Sequence, residues 1–432
     1  MIRMLALPMA LLAALALPAR AQGLIRDAGI EHALEQIAQP ILQAAGLPGS
    51  TRIWVINDRR MNAFVGDTRT IFIHSGLLLR LKSAAQLQAV IAHEAAHIAN
   101  GHLTRRPAAA RSAANAARLG LLLGAAATAA GGGRAGLGVA AGSASVAQRN
   151  LLAHTRGEEA SADQSSLRYM AAAGVDPNAA REVLEIFAGQ ELLSVGRQDP
   201  YAQTHPLTRD RIRAVEGFAA AVTPRQTDRR AVEYWFARAS GKLGAFTRAP
   251  GQTLRQVRGK SDEISVLRGA IALHRRPDAA RAVATLDGLI AARPNDPYYH
   301  ELRGQFLLES RQPGAAVESY RRAAGLAPRE PLILAGLGRA LLAAERPAEA
   351  LEVLSRARGR DPFDPMMLRD LATAHAQQGQ PGLASVAAAE RMALMGRLPD
   401  AAIHAERASA LLPRGSAGWL RAQDILATAP NR

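Results

Sequence analysis

Apolar and polar positions divide this chain into stretches of different period. Leu5 to Pro18 is an unbroken apolar run, preceded by Arg3 and followed by Ala19-Arg20-Ala21. A short basic start, an apolar core and small residues before Gln22 predict a cleavable secretory signal over 1–21, and the run is too short to span a bilayer. Arg52 to Ile56 and Asn62 to Ile73 alternate in part, which predicts strands of a small antiparallel sheet leading into Ser75-Gly76-Leu77-Leu78. From Ser83 to His102 the apolar residues Leu87, Val90, Ile91, Ala95 and Ile98 recur mostly three or four apart, the period of a helix. Two uncharged stretches, Leu119 to Gly133 and Ala135 to Gln148, meet at Gly131-Gly132-Gly133 and Arg134 and read as two short apolar helices. A lid over a cleft, a hairpin dipping into a membrane surface and a hairpin buried against the domain all fit that pattern.

Beyond a Gly/Pro/Arg stretch near 244–260 the pattern repeats. Pro294, Pro328 and Pro362 are spaced at one interval, as are Pro313, Pro347 and Pro381, and Gly304, Gly338 and Ala372. That interval, about 34 residues, is the tetratricopeptide period, in which small residues let two antiparallel helices approach. Ala316, Ala350 and Ala384 supply further small positions, and Tyr320 and Leu354 the large one that follows. Residues 263–296 read as a degenerate earlier repeat and Ala401 to Pro413 as a closing helix. Such an array is a curved scaffold whose concave face usually holds another protein.

Composition narrows the classes. The 432 residues include no cysteine, which excludes a disulfide framework, a Cys-ligated metal and a lipid-modified N-terminal cysteine. The formal charge of +16 becomes +14 once Arg3 and Arg20 leave with the signal. Lysine occurs only at Lys82, Lys242 and Lys260, so the positive charge is nearly all arginine, which fits either phosphate recognition or a compositional bias. Export and an aromatic content of 4% disfavour a nucleic-acid partner, since few stacking platforms remain.

The predicted helix over 83–102 contains His93-Glu94-Ala95-Ala96-His97. Two histidines four apart project from one helix face and can meet a single zinc ion, while Glu94 can take a proton from a metal-bound water. A catalytic zinc needs a third protein ligand. His102 would be rotated away from the His93/His97 face on a continuous helix, so it reads as a helix-end residue or a hydrogen-bonding neighbour of the ligands. Downstream, Glu159 and Asp163 lie one helical turn apart, where one can bind metal and the other hold a histidine ring by its free N–H.

Four motifs in order carry a resemblance: Asn62-Ala63-Phe64, His93 to His97, Arg156 to Asp163 as R-x-x-E-x-x-A-D, and Thr204-His205-Pro206 followed by Arg211-Ile212. Together they resemble the gluzincin peptidases related to the CAAX prenyl endopeptidase. The resemblance implies one zinc per chain held by His93, His97 and Glu159, Glu94 as catalytic base, Asp163 behind the ligands, and Asn62, Ala63 and Phe64 beside the substrate cleft. It selects Glu159 over Glu158. His205 matches the family's T-H-P histidine and fits two roles, donor to the oxyanion or occupant of the open zinc position in a resting state; a plain loop histidine stiffened by Pro206 is the third reading. Arg211 reads equally as a partner of a carboxylate near the site or as an exposed residue.

The expected architecture is mainly α: an α+β zincin peptidase domain over 22–243, a joining region over 244–262 and a helical tetratricopeptide-repeat solenoid over 263–432. The expected activity is that of an exported, periplasmic zinc endopeptidase. By resemblance its substrates are unfolded or stalled outer-membrane proteins, the repeats reach the outer-membrane assembly machinery, and peripheral membrane contact is allowed. The alternative is a chaperone or scaffold that keeps a zinc site but cleaves little. An intact Glu94 argues against it, because a structural zinc needs no base.

Overall fold

The computed structural model describes residues 23–103, 156–190, 193, 197–206, 208–222 and 225–428. The expected signal at 1–21 and the expected apolar hairpin within 107–149 lie outside the described residues. The chain forms two compact units that divide between Leu289 and Ile290. The division falls inside the stretch 263–296 expected as a degenerate repeat, and the helix Pro250–Val257 lies in the expected joining region.

The first unit opens with strand β1 (Leu24–Ile25) and helix α1 (Ala28–Ala44), whose start is capped by Asp27 accepting from the Ile30 N–H. Strands β2 (Arg52–Ile56), β3 (Ala63–Asp67) and β4 (Thr70–His74) follow, then the short helix α2 (Ser75–Arg80). The sheet order is β1-β2-β4-β3. The sheet is mixed rather than antiparallel as expected: β3 runs antiparallel to β4, but β2 and β4 are parallel, with Arg52 opposite Thr70 and Ile56 opposite His74. Alternation marks which residues form strands and says nothing about their order. Here the chain leaves β2, passes the place β4 will fill, runs back along the edge as β3 and returns as β4 through a tight turn. Asp67 builds that turn by accepting from the Arg69 N–H and the Thr70 hydroxyl.

Helix α3 (Ala84–Ala99) carries the H-E-x-x-H motif and is buried along most of its length. Its apolar residues join one core with Leu34, Ile37 and Ile41 of α1 and Ile71 and Ile73 of β4. Ser83 caps the helix by accepting from the Gln86 N–H, and Gln86 in turn accepts from the Lys82 N–H. No acid lies in the first turn of α3; Glu233 supplies one from far along the chain, its carboxylate accepting from the Ala84 N–H. Glu233 belongs to helix α8 (Arg230–Thr247), which packs on α1 and α3. Between α3 and α8 come α4, which covers 156–172 of the described residues, α5 (Asn178–Ile186), the short α6 (Pro200–Thr204) and α7 (Arg209–Ala221).

In the second unit, helix pairs repeat as the proline and glycine spacing predicts. Pro297, Pro331 and Pro365 open the first helices of three pairs (Pro297–Glu309, Pro331–Ala343, Pro365–Gln377), and Pro313, Pro347 and Pro381 the second helices. At a first helical position proline loses no hydrogen bond. The residue before each first-helix proline, Asp296, Glu330 or Asp364, caps the helix through its carboxylate. The small positions are filled as expected: a Cβ on Gly304 would lie 2.6 Å from the Tyr320 ring, and one on Gly338 2.4 Å from Leu354. In the third repeat, where Ala372 replaces the glycine, the residue sixteen further on is Ala388 rather than a large one.

Candidate metal centre

Helix α3 delivers His93 and His97 from adjacent turns of one face, α4 delivers Glu159, and His205 caps the C-terminus of α6. These four buried residues each offer one ligand atom, and those atoms lie within 4.8 Å of one another. His93 Nε2 is 3.1 Å from His97 Nε2, 3.2 Å from His205 Nδ1 and 3.2 Å from Glu159 Oε2. His97 Nε2 is 3.4 Å from Glu159 Oε1, and His205 Nδ1 is 3.0 Å from Glu159 Oε2. Zinc–ligand bonds of about 2.0–2.1 Å at tetrahedral angles separate the ligand atoms by about 3.3–3.4 Å. The cluster therefore has the dimensions and the N₃O donor chemistry of a four-coordinate zinc site.

Each ring is held by a partner behind it. His93 turns Nδ1 to Asp163 Oδ1 at 3.1 Å, which leaves Nε2 to face the cluster. His97 Nδ1 lies 2.9 Å from His102 Nδ1. Helix α3 ends at Ala99, and Gly101, at φ +68°, turns the chain back so that His102 returns to His97. A residue with a Cβ would be strained there. The rotation expected of a continuous helix thus does not apply, and His102 is a neighbour of a ligand ring rather than a member of the cluster. Asp163 is gripped at both oxygens by the buried Arg211, whose Nη1 also reaches Glu159 Oε2 at 3.2 Å and the carbonyl oxygens of His205 and Pro206. Of the two sequence readings of Arg211, the structure shows the one beside the carboxylates.

Glu94 is fully buried, with Oε1 3.4 Å from His205 Nε2. His205 thus presents one ring nitrogen to the cluster and the other to Glu94. Burial opposes charge on His93, but its hydrogen bonds to Asp163 and Glu159 outweigh that and raise its pKa to about 10 in the metal-free site. Burial likewise opposes charge on Glu159, and hydrogen bonds from His205 and His93 overcome it, so the carboxylate stays ionised well below its ordinary range. Asp163 is held below its usual value against burial by Arg211 and His93. The cluster sets an anionic carboxylate beside His93, whose proton a cation would displace.

The residues 28–219 match the model of peptidase family M48. The first unit carries an M48 peptidase domain. This family is one of zinc metallopeptidases, and the match spans every residue of the cluster. Residues 307–369 match a tetratricopeptide-repeat model. The chain is 27% identical over 369 residues to the beta-barrel assembly-enhancing protease of Yersinia pestis, covering 84% of this chain and 75% of that protein. The Escherichia coli K12 protein of the same name is 26% identical over 280 residues, and there the match spans 57% of the relative. A solved MamA structure aligns with 38% of this chain and 96% of its own at 20% identity and a TM-score of 0.32.

Asn62, Ala63 and Phe64 fall at the start of β3, which is the last strand of the sheet order and lies against α3. The Asn62 carbonyl accepts from the His74 N–H, Ala63 faces Ile73, and Phe64 stacks on Phe72. Among the described residues β3 pairs with β4 alone and ends the sheet. Glu158, the carboxylate set aside in favour of Glu159, is buried but outside the cluster. Among the described residues no helix is long and apolar enough to cross a membrane.

Proposed function

We propose that the protein is a periplasmic zinc endopeptidase acting on unfolded or stalled outer-membrane proteins, exported by a cleaved signal over 1–21, with the repeats docking the substrate or the outer-membrane assembly machinery. The observation that carries the peptidase reading is the buried Glu94 set beside a tetrahedral His93/His97/Glu159/His205 cluster. The substrate class is supported by the name of the Yersinia relative, which aligns along 84% of this chain. A scaffold with a structural zinc gives no reason to bury a carboxylate next to that cluster.

A zinc ion held by His93, His97 and Glu159 would polarise the scissile carbonyl and acidify a water molecule. His205 offers a fourth ligand atom and turns its other ring nitrogen to Glu94, so its ring would have to yield for water to enter beside Glu94. Glu94 would take a proton from the attacking water and return it to the leaving amine. Asp163 keeps Nδ1–H on His93 and Nε2 free, and Arg211 keeps Asp163 ionised and in place. Once turned from the cluster, His205 would be able to donate to the oxyanion. Asn62, Ala63 and Phe64 offer the edge against which a substrate lies extended, through backbone contacts that ask little of its sequence.

The test is cleavage of unfolded casein by the mature chain. Activity abolished by a chelator and restored by stoichiometric zinc supports the reading. Undiminished cleavage in the chelator rejects it.

A further inference from the structure

Asp199 is the N-cap residue of α6, yet its carboxylate caps nothing in its own helix. Aspartate is among the preferred caps, so its diversion elsewhere forgoes a local stabilisation. Oδ1 instead accepts from the Met61 N–H at 3.1 Å, across 138 residues of sequence. The Met61 carbonyl accepts from the Tyr201 N–H at 3.2 Å, so Met61 is bound to α6 through both of its backbone polar groups. The arrangement is locked from behind: Gln190 Nε2 donates to Asp199 Oδ2 at 2.8 Å, and Gln190 Oε1 accepts from the Asp199 N–H at 2.7 Å.

What the clamp joins is telling. Met61 immediately precedes Asn62-Ala63-Phe64, the start of the edge strand. On the other side, the His205 N–H donates to the Tyr201 carbonyl at 2.8 Å, and the Tyr201 ring lies 4.6 Å from the His205 ring and 4.6 Å from Phe187. The edge strand is therefore joined to the His205 imidazole through Met61, Asp199 and Tyr201. Each link is a hydrogen bond or a packed ring.

We propose that Asp199 is a positioning residue that couples the β3 edge to His205, so that the strand on which a substrate lies and the ring at the fourth donor position move as one body. The proposal rests on the peptidase reading for its consequence, but the clamp itself can be measured without turnover.

Two measurements on the zinc-loaded mature chain test it. The first is amide hydrogen exchange. In Asp199→Ala, exchange at Met61 and Tyr201 should accelerate together by about tenfold or more while amides of β4 stay protected; Asp199→Asn, which keeps an oxygen for the Met61 N–H, should restore most of the protection at Met61. The second is a double-mutant comparison of casein cleavage. His205→Ala should change kcat/KM by about fivefold or more in the wild-type background and by less than about twofold once Asp199 is Ala. Unchanged exchange at Met61 and Tyr201, or a His205→Ala factor that is equal in both backgrounds, overturns the proposal. If the wild-type chain cleaves nothing, the peptidase reading falls while the exchange measurement still decides the clamp.

Discussion

Arg211 holds Asp163 with two parallel hydrogen bonds, Nε to Oδ2 at 2.7 Å and Nη2 to Oδ1 at 2.9 Å, and both side chains are buried. The pair stands directly behind the metal cluster, because the same Asp163 Oδ1 faces His93 Nδ1. Removing the guanidinium would leave a buried carboxylate uncompensated. Arg211→Ala should therefore cost about 3–5 kcal/mol of stability by chemical denaturation. Arg211→Lys restores a charge but not the fork, so it should recover part of that stability while zinc affinity stays about tenfold or more below wild type.

Zinc and protons compete for His93. Its pKa is 6.5 ordinarily and about 10 in the metal-free site, so between those values the folded chain keeps a proton that the unfolded chain has released. The stability this contributes to the metal-free protein is full below pH 6.5 and is lost as pH rises through about 10. Zinc needs the bare nitrogen. Calorimetry in buffers of different ionisation enthalpy should show about one proton released per zinc near neutral pH, with apparent affinity rising about tenfold per pH unit just above it. Zinc binding without proton release would contradict this account of the site.

The turns inside the repeats make a sharper prediction about the second unit. Arg311, Glu345 and Gly379 occupy equivalent positions and all have left-handed backbone, at φ 61°, 57° and 68°. Each N–H closes the same turn, to Leu308, Leu342 and Ala376. A side chain in that region costs about 1–2 kcal/mol, and the third repeat avoids the cost by using glycine. Glu345→Gly should raise the stability of the chain by about 1 kcal/mol, and Gly379→Ala should lower it by a similar amount, both read from denaturation midpoints.

Much of this molecule is legible in its sequence, and the parts that are not share a cause. The H-E-x-x-H helix, the Glu159 and Asp163 pair and the repeat prolines are visible because their geometry is local: a fixed spacing on one helix, or one position per repeat. The role of Arg211 depends on α7 meeting α4, which no spacing encodes, and the sequence leaves it between buried and exposed. His102 depends on Gly101 ending α3 early, and a continuous helix would have pointed it elsewhere. The mixed order of the sheet depends on where the chain crosses after β2, not on the alternation within the strands. Asp199 carries no sequence signal at all, since an aspartate before a short helix ordinarily reads as its cap.

If Glu94 is the base of peptide hydrolysis beside a zinc held by its neighbours, its loss stops turnover without loss of the metal. Glu94→Gln keeps the size of the side chain and leaves His93, His97, Glu159 and His205 unsubstituted. The deciding measurement is casein cleavage by this variant, with bound zinc determined on the same sample. One zinc per chain and a fall in kcat of about a hundredfold or more are expected. Full zinc occupancy with cleavage equal to wild type would contradict that role for Glu94.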